Sequence, residues 1–229
     1  RRALLALGAA LVVVGLAAFG ALLVVVLGDR GPLPLDRAVD DWLDARRTGE
    51  LTNASTVLAL GFGPIGMPIV VMATLVVWIW RARHLWRPLL IAAGMLVGVV
   101  LAQLIARLVE RPRPPAAEML LDVDRSFSFP SGHVLGMADF FLLAAFLLAS
   151  RLGSRAFSVG ATACAVLLVV AQAASRLYLG YHWLSDVSAS IALSLVVVGT
   201  VVVVDTRRTV RVAGERIEGP LSSPQRDGT

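Results

Sequence analysis

The chain has 229 residues, of which 57% are hydrophobic and only 16% are charged. Soluble domains are typically about a quarter charged, so the composition argues against a soluble globular class. The formal net charge is +5 and every basic residue is an arginine. No basic patch alternates with aromatic residues, which argues against nucleic-acid binding. The single Cys164 excludes an internal disulfide.

Six apolar segments predict membrane spans, because a hydrocarbon core of about 30 Å requires about 20 apolar residues in a helix. The segments are Ala3–Leu27, a part of Leu51–Trp80, Pro88–Ala106, Val134–Ser150, Ala156–Ser175 and Trp183–Val204. The first is too long for the apolar core of a signal peptide and is predicted to be retained. In the second, the membrane part is placed at Gly66–Trp80 plus about one turn, and Pro64 and Pro68 predict a kink. The predicted fold class is all-α, a polytopic membrane protein with six transmembrane helices.

Two segments outside these spans are predicted to differ from the membrane helices: an amphipathic helix and a polar tail. Leu35, Val39, Trp42 and Leu43 recur at helical spacing, which predicts an amphipathic helix near residues 34–47 lying flat at the membrane interface. Residues 207–229 are polar and predict a disordered cytoplasmic tail. Residues 1–206 are therefore interpreted as one six-span domain.

The orientation follows from the arginines, which cluster in alternate loops. They are Arg1 and Arg2, then Arg81, Arg83 and Arg87, then Arg151 and Arg155, and finally Arg207, Arg208, Arg211 and Arg216. This pattern predicts a multi-pass protein of a bacterial-type plasma membrane with both termini in the cytoplasm. The loops at 28–53, 107–131 and 176–181 are then extracytoplasmic.

Three polar clusters fall in these outer loops. They are Arg111-Pro112-Arg113-Pro114-Pro115, Pro130-Ser131-Gly132-His133, and Ser175-Arg176 followed by His182 and Asp186. His182 and Asp186 are four residues apart at a predicted helix start, so the carboxylate can accept from one ring nitrogen and leave the other as a nucleophile. The topology brings all three clusters to one membrane face, which predicts an active site at the extracytoplasmic side.

The residue types in these clusters indicate phosphoryl transfer. Arg113 and Arg176 carry forked donors suited to phosphate oxygens, and the backbone N–H groups of Ser131 and Gly132 begin a helix that can bind an anion. His133 is placed to meet the same anion from another side, so that one histidine can attack phosphorus while the other protonates the leaving oxygen. Each piece has a simpler interpretation: arginines that bind lipid headgroups, an interfacial histidine, a common helix entry and a capping aspartate. The eight residues in their fixed order favour the joint interpretation.

These residues resemble the type 2 phosphatidic acid phosphatase family, which includes bacterial undecaprenyl diphosphate phosphatases. The family pattern is Lys, six residues, Arg-Pro; then Pro-Ser-Gly-His; then Ser-Arg, five residues, His, three residues, Asp, and the last two parts are complete here. The resemblance implies six spans, a nucleophilic His182 that forms a phosphohistidine, an orienting Asp186 and an acid His133. It implies that Arg113, Arg176, Ser131 and Gly132 hold the phosphate, and that neither a metal nor another cofactor is needed.

The first family motif is incomplete, because Ala106 stands where the family has lysine. Arg107 is predicted to replace that cation and to join the phosphate-binding residues, and Arg111 is an alternative. This requires the third span to end by about Glu110, which the following prolines favour. If neither arginine compensates, the phosphate site is weaker.

Several questions remain open at the level of sequence. The substrate is expected to be a lipid phosphate in the bilayer: an undecaprenyl-type diphosphate, phosphatidic acid or phosphatidylglycerol phosphate, with Arg111 and Arg125 slightly favouring a diphosphate. A phosphotransferase and a non-catalytic lipid-binding or transport protein are the alternatives. Asp139 lies within a span and either has a functional role or pairs with Gln103 or Gln172. His84 is expected to be a solvated loop residue, and the oligomeric state is undetermined.

Overall fold

A computed structural model describes residues 1–82, 85–152 and 154–208. Within these ranges the secondary structure is entirely helical, and turns and loops connect the helices. The α-helices are α1 (Arg2–Gly28), α2 (Pro34–Asp44), α3 (Gly49–Gly61), α4 (Gly66–Ala82), α5 (Trp86–Val109), α6 (Gly132–Leu152), α7 (Arg155–Tyr178) and α8 (Leu184–Arg208). A single 3-10 turn at Ala116–Glu118 interrupts the long loop between α5 and α6. The all-α prediction is confirmed.

Five helices, α1, α5, α6, α7 and α8, are individually long and apolar enough to cross a membrane. The pair α3 and α4 supplies a sixth candidate, bent by 54° at a short break. Pro64 lies in that break, as the sequence predicted, because proline lacks the N–H that would continue the helical ladder. Arg83, His84, Arg211, Arg216 and the predicted tail from residue 209 onward lie outside the described residues.

The central helix of the bundle is α8, which packs along α1 and also contacts α5 and α6. Close approach of α1 and α8 depends on glycine, because a Cβ added to Gly199 would lie 2.6 Å from the carbonyl oxygen of Gly8. Small residues at a helix crossing allow such backbone contact between membrane helices. At one end of the bundle, Arg87 of α5 pairs with Asp205 of α8 at 3.4 Å. The candidate site residues lie at the other end.

The α2 helix is present where the amphipathic pattern predicted one, and part of its polar face is buried against the bundle. Val39 and Leu43 pack against the bundle, whereas Leu35 and Trp42 are 63% and 54% exposed. Asp36 is buried instead, at 2% exposure. The reason is electrostatic, since Asp36 meets an arginine beneath the helix. The location of α2 at the membrane interface stays a prediction.

Candidate active site

Four helix ends surround the site: the C-terminal ends of α5 and α7 and the N-terminal ends of α6 and α8. The α5 helix ends at Val109, and Glu110 adopts a left-handed conformation with φ of 53°. This confirms the predicted end of the third span. The chain then turns into the loop that carries Arg111 and Arg113 towards α8.

His182 lies before α8 and is buried, with both ring nitrogens engaged. Its Nδ1 is 2.8 Å from the carbonyl oxygen of Ser128. A carbonyl only accepts, so Nδ1 carries the proton and Nε2 is the acceptor. Nε2 faces the guanidinium of Arg113 at 3.1 Å. Burial, and then the charges of Arg113 and Arg176, hold the pKa of His182 well below its ordinary value. The ring is therefore neutral at pH 7, as a nucleophile requires.

The predicted hydrogen bond between His182 and Asp186 is not formed. Nδ1 of His182 lies 3.7 Å from Oδ2 of Asp186, beyond hydrogen-bond range. The prediction assumed that both residues lie on one helix, but α8 begins only at Leu184. The Asp186 carboxylate instead accepts from the backbone N–H of Trp183 at 2.9 Å and pairs with Arg111 at 2.5 Å. Ser128 is the direct partner of the His182 ring, and sequence reasoning did not identify it.

The two phosphate-binding candidates Arg113 and Arg176 differ in their pairing. Arg113 donates to the carbonyl oxygens of Ser126 and Tyr181 at 3.1 and 2.6 Å, and it pairs with Asp124 at 2.9 Å. Arg176 is 4% exposed, and its guanidinium lies 4.3 Å from the centre of the Tyr181 ring. Within the described residues, Arg176 has no ion pair and its Nε has no hydrogen-bond partner. A buried cation without a counter-ion is a place where an anion is expected.

The Pro-Ser-Gly-His cluster begins α6 at the same site. Ser131 is fully buried, and its Oγ accepts from the N–H of Val134 at 3.5 Å. Gly132 is exposed and His133 is half-buried. His133 is close enough to Arg113, Arg176 and His182 for their charges to act on its ring. A Cβ on Gly63, in the break between α3 and α4, would lie 3.1 Å from Nε2 of His133. The two histidines and two arginines thus belong to one site, with Gly63 as an unpredicted neighbour.

Two arginines do not occupy the places that the sequence suggested. Arg107 is exposed on α5 and has no hydrogen bond or ion pair within the part of the chain that the structure describes. One residue along a helix is a rotation of about 100°, which turns Arg107 away from the direction of Ala106. Arg111 is fully buried and pairs with Asp36 and Asp186. It is therefore not a free replacement for the missing lysine.

Asp124 is a further charged group at the site that the sequence did not single out. Its carboxylate contacts Arg113 and acts electrostatically on both histidines and on Arg176. Partial burial alone would raise the pKa of Asp124, but hydrogen bonds from Ser126 and the charge of Arg113 hold it below the ordinary value. The group is ionised at neutral pH and occupies part of the space around the Arg113 guanidinium.

The remaining candidates lie away from this arrangement. Asp139 is fully buried against Gly98 of α5, and its nearest polar neighbour is the Ser194 hydroxyl, which lies just outside standard hydrogen-bond geometry. The suggested pairing with Gln172 is not formed, since both side-chain polar atoms of Gln172 lack hydrogen-bond partners among the described residues, and Gln103 is exposed. No group of three or more His, Cys, Asp or Glu side chains in the described ranges is arranged to hold a metal ion.

Comparisons with known proteins identify the family of this chain. Residues 87–209 match the model of the PAP2 superfamily. The chain is 34% identical over 153 residues to the decaprenylphosphoryl-5-phosphoribose phosphatase of Mycobacterium tuberculosis, across 66% of this chain and 78% of that protein. It is 28% identical over 159 residues to phosphatidylglycerophosphatase B of Bacillus subtilis, across 67% of this chain and 71% of that protein.

A solved structure has a similar fold. The crystal structure of a transmembrane PAP2 type phosphatidylglycerolphosphate phosphatase from Bacillus subtilis matches with a TM-score of 0.73. The match covers 87% of this chain and 98% of that chain at 20% identity, so it bears on the fold alone.

Proposed function

Because this chain belongs to the PAP2 superfamily, we propose that it removes phosphate from a membrane lipid through a phosphohistidine formed on His182. The broader activity is that of a PAP2-type lipid phosphatase, an enzyme that hydrolyses lipid phosphates. The proposal adds the nucleophile, the groups around it and the kind of lipid headgroup.

The observation that carries the proposal is the pair of guanidinium groups beside the buried His182 ring, whose Nδ1 faces a carbonyl oxygen so that Nε2 carries the lone pair. Arg113 lies 3.1 Å from Nε2 of His182, and Arg176 is buried without a counter-ion within the described residues. A phosphate bound to both arginines would bring its phosphorus next to Nε2. The same cations would stabilise the charge that spreads over the phosphoryl oxygens in the transition state.

The chemistry divides into two balanced steps. In the first, the Nε2 lone pair of His182 bonds to phosphorus, the bond to the leaving oxygen breaks, and that oxygen takes a proton from His133. In the second, water attacks phosphorus, gives a proton to His133, and the N–P bond breaks with its electron pair returning to Nε2. One water is consumed and both histidines return to their starting forms. Ser131, Gly132, Arg113 and Arg176 are the proposed phosphate ligands.

We propose a phosphomonoester on a hydroxylated headgroup as the substrate. Sequence reasoning leaned towards a diphosphate because of extra outer arginines, but Arg111 is already paired with two carboxylates. The two named relatives act on decaprenylphosphoryl-5-phosphoribose and on phosphatidylglycerophosphate by name, and both headgroups carry hydroxyls. The arginine pattern supports an extracytoplasmic site with cytoplasmic termini.

A phosphate-release assay tests the function. The purified protein in detergent is given phosphatidylglycerol phosphate, a polyprenyl-phosphoryl phosphoribose, phosphatidic acid and undecaprenyl diphosphate at equal concentrations. We expect kcat/KM to be highest for one of the first two, and a preference for the diphosphate would contradict the substrate proposal. Reaction in ¹⁸O-labelled water should place the label in the released phosphate. Transfer of the phosphoryl group to an added alcohol, giving a phosphate ester without the label, would indicate a phosphotransferase.

A further inference from the structure

Arg111 occupies a fully enclosed position next to the site and makes an unusually complete set of contacts. Its guanidinium NH1 contacts Asp186 at 2.5 Å and Ser185 Oγ at 2.7 Å. Its NH2 contacts Asp36 at 2.8 Å and the carbonyl oxygen of Gly31 at 2.9 Å. A buried cation surrounded by acceptors in this way is held in one geometry.

Arg111 reaches the His182 ring by two independent routes. Its side chain holds Asp186, whose carboxylate lies 3.7 Å from Nδ1 of His182. Its backbone carbonyl accepts from the N–H of Ser128 at 2.9 Å, and the Ser128 carbonyl accepts from Nδ1 at 2.8 Å. Both groups that face Nδ1 therefore depend on the position of Arg111.

Asp36 connects this arrangement to α2. Its carboxylate accepts from Arg111, from the backbone N–H of Ser185 at 2.8 Å and from Ser185 Oγ at 2.7 Å. It also accepts from the N–H of Leu33 at 3.0 Å. One guanidinium thus lies between two carboxylates, which leaves one net negative charge behind the ring. The N–H groups at the start of α8 help to stabilise that charge.

We propose that Asp36 and Arg111 are positioning residues for His182, so that α2 forms part of the active-site support rather than only a membrane-facing segment. The proposal rests on the proposed nucleophile. As Nε2 bonds to phosphorus, the imidazole becomes positively charged, and the net negative group behind Nδ1 stabilises that charge. This stabilisation is larger in the transition state than in the bound ground state, because the His182 ring is neutral until its bond to phosphorus begins to form.

The main test is Asp36→Asn, with Asp41→Asn as the matched control, since Asp41 is an exposed carboxylate on the same helix. We expect Asp36→Asn to lower kcat by about 10- to 100-fold, the range that a small misplacement of a catalytic group produces. KM and the inhibition constant of inorganic phosphate should stay within about twofold, because these report the ground state. Asp41→Asn should resemble the parent.

The affinity for orthovanadate distinguishes a misplaced His182 from a smaller fraction of folded protein as the cause of a lower kcat. As a mimic of the five-coordinate phosphorus, orthovanadate should bind more weakly to Asp36→Asn in proportion to the fall in kcat/KM. A fall in kcat with unchanged vanadate affinity would mean only fewer active molecules and would overturn the proposal. So would an unchanged kcat.

A milder variant covers the case in which Asp36→Asn does not fold. Ser185→Ala keeps all charges and removes the hydroxyl that bridges Arg111 and Asp36, so kcat and vanadate affinity should fall together by about 3- to 10-fold. No change in either would refute the positioning role. An inactive parent protein would instead refute the proposed function, and so the two failures are distinguishable.

Discussion

Asp124 is expected to compete with the substrate for Arg113, and Asp124→Asn should therefore strengthen phosphate binding. The carboxylate lies 2.9 Å from the Arg113 guanidinium and its side chain is 37% exposed. A phosphate on the same guanidinium would carry its charge about 4 Å from the carboxylate, where each pair of unit charges costs about 1 kcal/mol at the dielectric of water. For a phosphate dianion the repulsion is about 2 kcal/mol, which corresponds to about a 30-fold change in affinity.

The carboxylate can turn partly into solvent, which lowers the effect. We expect the inhibition constant of inorganic phosphate, a competitive product, to fall by about 3- to 30-fold in Asp124→Asn, and the difference to shrink at high salt. The same substitution at Asp122, an exposed carboxylate on the same loop, is the control and should have a much smaller effect. Weaker phosphate binding in Asp124→Asn would refute the reasoning and would show that the carboxylate holds Arg113 in place for substrate.

Three other outcomes follow from the site and its surroundings. His182→Ala should lower kcat by about 10³-fold or more while the elution volume and melting temperature in detergent stay normal, and turnover close to the parent would exclude it as the nucleophile. Activity should survive a chelator, because arginines carry the cationic role; abolition with recovery on adding Mg²⁺ would contradict the mechanism. Burial and the negative charges of Glu118 and Asp44 raise the pKa of Asp40 to about 7. The folded state then holds a proton that the unfolded chain releases near pH 4, so stability should fall as pH rises from about 4 to about 7. Asp40→Asn should flatten that slope in melting temperatures measured across the range.

The fold was predictable because uncharged stretches of span length have few alternatives in a bilayer. Each predicted span coincides with a helix, and the bend before α4 follows from Pro64. The burial of α2 was not predictable in the same way. The amphipathic pattern predicted a helix lying flat at the membrane interface, and it did not indicate that Asp36 is buried against the bundle. Asp36 faces inward because it pairs with Arg111, which lies 75 residues further along the chain.

The site was predictable as a set of residues but not as a set of contacts. Spacing identified His182 and Asp186, yet their relation depended on where α8 begins, and sequence boundaries carry an error of a residue or two. Glu110 adopts a left-handed conformation where α5 ends, and of the arginines on either side Arg111 is buried whereas Arg107 is exposed. Ser128 acts through its carbonyl, which every residue possesses, so no sequence signal could have marked it.

Among the described residues, neither Arg107 nor Arg111 takes the place of the lysine that the family pattern has where this chain has Ala106. Ala106 lies in the last turn of α5, and its carbonyl accepts from the N–H of Glu110 at 2.9 Å. Arg107 is exposed, with no ion pair or hydrogen bond among the described residues, so its positive charge remains solvated. We therefore expect Arg107→Ala to leave KM within about twofold of the parent, as for exposed charges in general.

Ala106→Lys should restore the missing cation. A charge-assisted contact to phosphate contributes about 1.5 kcal/mol or more, which corresponds to about a tenfold rise in kcat/KM. Ala106→Met is the matched control, because it adds a long apolar side chain without the charge, and it should not reproduce the gain. The opposite result, a large rise in KM for Arg107→Ala together with a silent Ala106→Lys, would mean that Arg107 bends back to the phosphate when substrate is bound. In that case the family's cation has moved by one residue in this chain. With the expected result, two arginines bind the phosphate where the family pattern adds a lysine.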